Sequence, residues 1–108
     1  MDPADLPADA LFHLVDGEER WSGYVAEGSI APDSLDAEGF VHCSWGRQVA
    51  GTLAKHFSGA TAVRALELDP GRIGSPVVEE DTSGTGQTFP HVYAAIPVAA
   101  VVTIHRIW

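Results

Sequence analysis

The sequence predicts a small α+β domain, and three observations carry that prediction. Helix-like stripes occur only before residue 58, strand-like alternation dominates afterwards, and the two do not interleave as a doubly wound parallel sheet requires. Hydrophobic residues make up 45% of 108 residues against 19% charged, enough for one core and too little chain for a second domain.

The elements follow in order. Residues 1–9 are acidic, contain Pro3 and Pro7, and read as a flexible leader to a domain spanning 10–108. Residues 10–15 form a first strand, with Phe12 and Leu14 on one face and Leu11 and His13 on the other. Asp16 is placed to cap a first helix. Glu18 and Glu19 favour its first turn, Trp21 and Val25 face the core, and Gly28 ends it. Residues 29–38, with Pro32, two Asp and two Ser, read as a loop. Residues 39–44 resume a strand. Residues 46–57 form a second helix with Val49, Leu53 and Phe57 on one stripe. Residues 61–68 alternate as a strand, and Asp69-Pro70-Gly71 is a turn. Val77-Val78 is a short strand, residues 79–88 a polar flexible loop, and residues 89–94 a strand that Pro90 assigns to an edge or a bulge. Residues 98–107 are the last strand.

Composition excludes several functions. Fifteen acidic residues against six basic give a formal net charge of −9, which disfavours binding to DNA or RNA phosphate. The single cysteine, Cys43, allows no internal disulfide. The N-terminus lacks a secretory pattern, and no segment approaches the roughly 20 apolar residues of a membrane span. The expectation is a cytoplasmic protein, a monomer or weak homodimer, whose partner is a small molecule.

Five histidines are the candidates for chemistry. His13, His42 and His91 each sit in a short strand and could converge on one cleft, whereas His56 and His105 read as ordinary surface or packing residues. Cys43 beside His42 suggests an activated thiol, yet neighbours in a strand point to opposite faces. If His42 faces the cleft, Cys43 faces the core and Ser44 returns to the cleft. The spacing of the three histidines matches no short metal motif, so no metal is assigned, and a histidine-based metal hydrolase trails the other readings. Glu79, Glu80 and Asp81 could supply a base, but such runs are more often solvated loop.

Leu11-Phe12-His13-Leu14, Gly39-Phe40-Val41-His42-Cys43-Ser44, Leu66-Glu67-Leu68-Asp69 and Phe89-Pro90-His91-Val92-Tyr93 together resemble the bacterial family called domain of unknown function 952. The resemblance implies an ADP-ribosyltransferase-like split β-sandwich with two helices in the N-terminal half. It implies a ligand cleft for NAD or a related nucleotide or phosphate compound. His13 matches the first-strand position that holds the ligand in that superfamily and His42 or Ser44 the second-strand position; His13 and His42 would bind or polarise the ligand, Ser44 would assist them, and His91 and Tyr93 would line the cleft. The glutamate that directs ADP-ribosyl transfer has no counterpart in Phe89–Tyr93. A divergent ADP-ribosyl- or phosphotransferase and a non-catalytic ligand-binding domain therefore both remain open.

Overall fold

Strand β1 (Leu11–Asp16) organises the chain because both of its faces are covered. Leu11 and Val15 join one core cluster, and Phe12 and Leu14 join a second. The computed structural model describes residues 1–108 and shows an α+β arrangement of three antiparallel sheets. The first has the order β4-β1-β5-β9, from β4 (Ser44–Trp45), β5 (Val63–Leu68) and β9 (Val101–Arg106). The second pairs β2 (Ser29–Ile30) with β8 (Ile96–Pro97). The third has the order β3-β7-β6, from β3 (Val41–His42), β7 (Phe89–Val92) and β6 (Val77–Glu80).

The first cluster draws Leu11 and Leu66 from the first sheet, Ile30 and Ile96 from the second, and Val41 and Val92 from the third. It therefore ties all three sheets together. The second cluster lies under helix α3 (Val49–His56), where Val49 and Leu53 meet Phe12, Leu14, Val63 and Ala65. The Val49/Leu53 stripe is the one the helical period predicts.

The helices depart from expectation in three ways. Helix α1 (Glu18–Glu27) is preceded by Gly17 at φ 104°, with no side-chain cap. Asp16 still belongs to β1, paired with Val63, and does not cap the helix. Val25 is half exposed, and Trp21 and Tyr24 pack on the core instead. The stripe thus runs through i and i+3 rather than i and i+4. Third, the segment expected as a loop at 29–38 contains β2 and a six-residue helix α2 (Asp33–Glu38), so the first half holds three helices rather than two. Pro32 at its N-cap and acidic residues in its first turn suit a helix start.

The leader expected to be loose is docked. Leu6 is buried in the second cluster. Ala8 and Ala10 accept hydrogen bonds from the backbones of Arg47 and Gly46 at 3.1 and 2.9 Å. Gly46 is required there, since a Cβ at that position would lie 1.8 Å from the Pro7 carbonyl oxygen.

Pro90 lies in the central strand of its sheet, not at an edge. In an extended strand a residue's N and O point the same way, and the Pro90 oxygen accepts from Cys43 at 3.0 Å. The missing N–H therefore faces the point where the partner chain leaves the sheet. Residues 41–45 make that departure: Val41 and His42 pair with β7, while Ser44 and Trp45 pair with β1. β6 continues through Glu79 and Glu80, which the sequence placed in a loop. No helix is long and apolar enough to cross a membrane.

Candidate functional site

The crossing at Cys43 sets the site. Cys43 is buried in the first cluster, and burial pushes its thiol up to about 12, so it is neither a thiolate nor an exposed nucleophile at neutral pH. His42 and Ser44, on the opposite side of the strand, line a cleft of about 690 Å³ together with His13 and His91. That size falls within the roughly 300–1,000 Å³ typical of small-molecule sites.

His42 and His91 face each other across the β3–β7 ladder. The adjacent 43–90 pair carries the ladder hydrogen bond, so 42–91 is the non-bonded type of pair, whose side chains approach more closely. Their ring centroids lie 5.2 Å apart, edge to face. Phe40, two residues before His42 and on the same face, stacks on His91 at 4.0 Å and 19°.

Each of these histidines has a different partner. His13 Nδ1 lies 2.7 Å from the His42 carbonyl oxygen, which only accepts, so Nδ1 carries the hydrogen. Burial holds the His13 ring down to about 4, and the charges of His42 and Arg20 push the same way against the hydrogen bond to that carbonyl. His13 is therefore neutral at pH 7, and its Nε2 has no protein partner while the ring lines the cleft. His42, half exposed, pairs through Nε2 with Glu38 at 3.0 Å. His91 is 1% exposed and pairs through Nδ1 with Glu80 at 3.0 Å. Glu80 also accepts from the Tyr93 hydroxyl; that bond, then the one to His91, hold its carboxyl below the usual range. Ser44 is buried, and its hydroxyl meets that of Thr52 at 3.1 Å.

Of the sequence candidates, His13, His42, Ser44 and His91 come together. Tyr93 does not line the cleft: it is half exposed, and its hydroxyl is committed to Glu80. The three histidines converge, yet no group of three or more His, Cys, Asp or Glu is arranged to hold a metal ion. His56, set aside from sequence, lines the cleft, as do Arg47 and Lys55. A second hollow of about 400 Å³ adjoins through His13 and adds Arg20 and Tyr24. Three of the six Lys and Arg residues thus sit on this one concave surface of an acidic protein. The helical period offered a signal for this wall: Thr52, Lys55 and His56 form the stripe beside Val49 and Leu53. Glu80 had no local signal, because it reaches His91 through strand register, diagonally from the Val78–His91 pair.

The sequence profile of the family described as protein of unknown function, DUF952, matches residues 16–104. The chain belongs to that family. Two crystal structures of protein CC0527 from Caulobacter crescentus, the unmutated protein and a double mutant, are similar to this DUF952 chain at 26% identity. They align over 90% of this chain and 84% of theirs, with TM-scores of 0.78 and 0.77. A solution structure of the same protein aligns at 24% identity, TM-score 0.67, over 89% and 82%. No curated protein matches the chain.

Proposed function

We propose that this DUF952 protein binds the phosphate-bearing part of a nucleotide in the histidine-lined cleft, with NAD-related compounds the ligand class that its resemblance to ADP-ribosyltransferase-like proteins implies. The observation that carries the reading is the convergence of His13, His42 and His91 with Arg47 and Lys55 on one concavity, in a chain of net charge −9. An acidic protein that gathers scarce cations into a cleft favours an anionic ligand there and repels polyanions elsewhere. His13 Nε2 supplies a neutral acceptor for a ligand hydroxyl. His42, Ser44 and His56 supply further polar contacts, and Arg47 and Lys55 take phosphate oxygens. The setting would be the cytoplasm, with divergent ADP-ribosyl- or phosphotransferase chemistry.

A specific observation favours binding without ribosyl transfer. Of the acidic side chains at the histidines, Glu38 is paired with His42, and Glu80 stands behind His91 rather than lining the cleft. No free carboxylate stands ready for an oxocarbenium-like centre.

Calorimetry with NAD, ADP-ribose and ATP tests the binding reading. At least one should bind, and Arg47→Ala with Lys55→Ala should weaken it by tenfold or more, since a hydrogen bond to a charged group contributes roughly 1.5–3 kcal/mol. Equal affinity in the double variant would sink the assignment.

A further inference from the structure

We propose that His91, backed by Glu80, is the proton-transferring residue of this cleft, and that the electrophile it serves is the phosphorus of a nucleotide ester or anhydride. The inference rests on the nucleotide-binding reading above and adds a reaction to it.

The ring is fixed from several sides. His91 sits in the central strand of its sheet, 1% exposed, with Phe40 stacked on it and His42 edge-on. Its Nδ1 meets a Glu80 oxygen at 3.0 Å, and the Tyr93 hydroxyl holds the same oxygen from outside. A carboxylate only accepts, so Nδ1 carries the hydrogen, and in the neutral ring Nε2 keeps its lone pair. Nε2 has no protein partner and is not sealed off, and His91 is a lining residue of the cleft. A carboxylate behind an imidazole orients the ring and compensates the positive charge that appears when the far nitrogen takes a proton. A half-solvated Glu–His pair at the surface would be ordinary; here the imidazole is buried and still borders the concavity.

The electrophile follows from the charges around it. Arg47 and Lys55 lie on the same cleft, and Lys55 forms no ion pair within the chain. Cations of this kind stabilise the oxygens of a phosphoryl group in transfer. In the step, the oxygen of water forms a bond to phosphorus as its proton passes to His91 Nε2. The bond from phosphorus to the leaving oxygen breaks, and its electron pair stays on that oxygen. The leaving oxygen then takes the proton from Nε2, which restores the neutral ring. Water is consumed and one ester or anhydride link is cleaved. Glu80 touches no reacting atom and acts as a positioning residue.

The test uses the full chain with NAD, ADP and 2′,3′-cyclic AMP as probes, followed by phosphorus NMR for turnover and calorimetry for binding. The wild type should cleave at least one probe. Glu80→Gln keeps an acceptor for Nδ1 and loses the charge; it should lower kcat about tenfold or more with KM unchanged. His91→Asn should lower kcat by at least about a hundredfold, the low end for general acid–base catalysis. Because His91 is buried and its replacement puts folding at risk, circular dichroism accompanies that variant, and the surface variant Glu80→Gln carries the test alone if needed. Probes that bind without being cleaved overturn this inference and leave the binding reading standing. Cleavage with wild-type kcat in Glu80→Gln also overturns it. Failure of every probe to bind overturns the binding reading itself.

Discussion

The depressed basicity of His13 makes stability depend on pH in a defined window. The folded chain binds a proton on His13 only near pH 4, whereas the unfolded chain binds it near the ordinary 6.5. Between those values the unfolded state carries the extra proton, so stability rises with pH and is lost on acidification. The His13 contribution is complete above about pH 6.5, and below about pH 4 both states are protonated and no more is lost. The interval from 6.5 to about 4 is about 2.5 pH units, which at about 1.4 kcal/mol each gives about 3 kcal/mol. Glu80 and Asp81, whose carboxyls are held low, also lose stabilisation on acidification. His13→Gln isolates the histidine: the amide still donates to the His42 carbonyl and does not titrate. Urea unfolding of both chains from pH 7.5 to 4 measures the difference. With a slope of about 1–3 kcal/mol per molar urea, the wild-type midpoint should fall by on the order of 1–3 M more than that of the variant. Parallel curves would show that His13 is not buried neutral, and the free acceptor at Nε2 would go with it.

Other perturbations reach the fold and the site separately. Gly46→Ala should cost about 2–4 kcal/mol by thermal melting, because its Cβ would collide with Pro7 and undock the N-terminal segment. Combined with Leu6→Ala it should cost less than the two singly, since both release the same segment; strict additivity would refute the coupling. Cys43→Ser should cost about 1–3 kcal/mol through a buried hydroxyl, with nucleotide affinity unchanged; lost affinity at full stability would reverse the roles given to Cys43 and His42. His42→Ala should change stability by less than about 1 kcal/mol, the scale of an exposed ion pair, and weaken nucleotide binding about tenfold in calorimetry. Unfolding of that variant, with binding intact in what remains folded, would remove His42 from the cleft.

What the sequence shows most plainly is parity. Strand alternation sends Leu11 to one core cluster and Phe12 and Leu14 to the other, and it sends the Cys43 side chain into the core while His42 and Ser44 turn the other way, although all three residues border the cleft. Short segments whose form depends on contact are where it falls silent. Helix α2 has only six residues, too few to form alone, and exists where Pro32 starts it and Ser34 reaches the Phe40 carbonyl at 2.9 Å. The leader has no apolar stripe, only Leu6, and one buried side chain, the Ala8 carbonyl bonded to Arg47 and the terminal amine at the Arg106 and Ile107 carbonyls leave no periodic trace. Glu80 looked like solvated loop because its pairing with Phe89 crosses a separation that no local pattern reveals. Pro90 misled for a related reason: the rule against proline in a central strand presumes a continuous partner, and β3 ends beside it.

One register decision accounts for the arrangement of all three histidines. Because Cys43 donates to Pro90, the ladder alternation turns the His42 carbonyl away from β7 and toward the open edge of that sheet. An edge carbonyl at a partly buried position needs a donor. β1 provides it from His13, whose Nδ1 is 2.7 Å away. That bond fixes the tautomer of His13 and leaves Nε2 for the cleft. The same alternation sends the Cys43 side chain into the core and brings the rings of His42 and His91 to 5.2 Å. A one-residue slip between β3 and β7 would reverse each of these at once: the thiol would face the cleft, His42 would face Val41's place in the core, and His13 would lose its acceptor. The site is therefore specified by backbone pairing as much as by its side chains. Its integrity should follow the strength of the 41–45 crossing rather than of any single histidine.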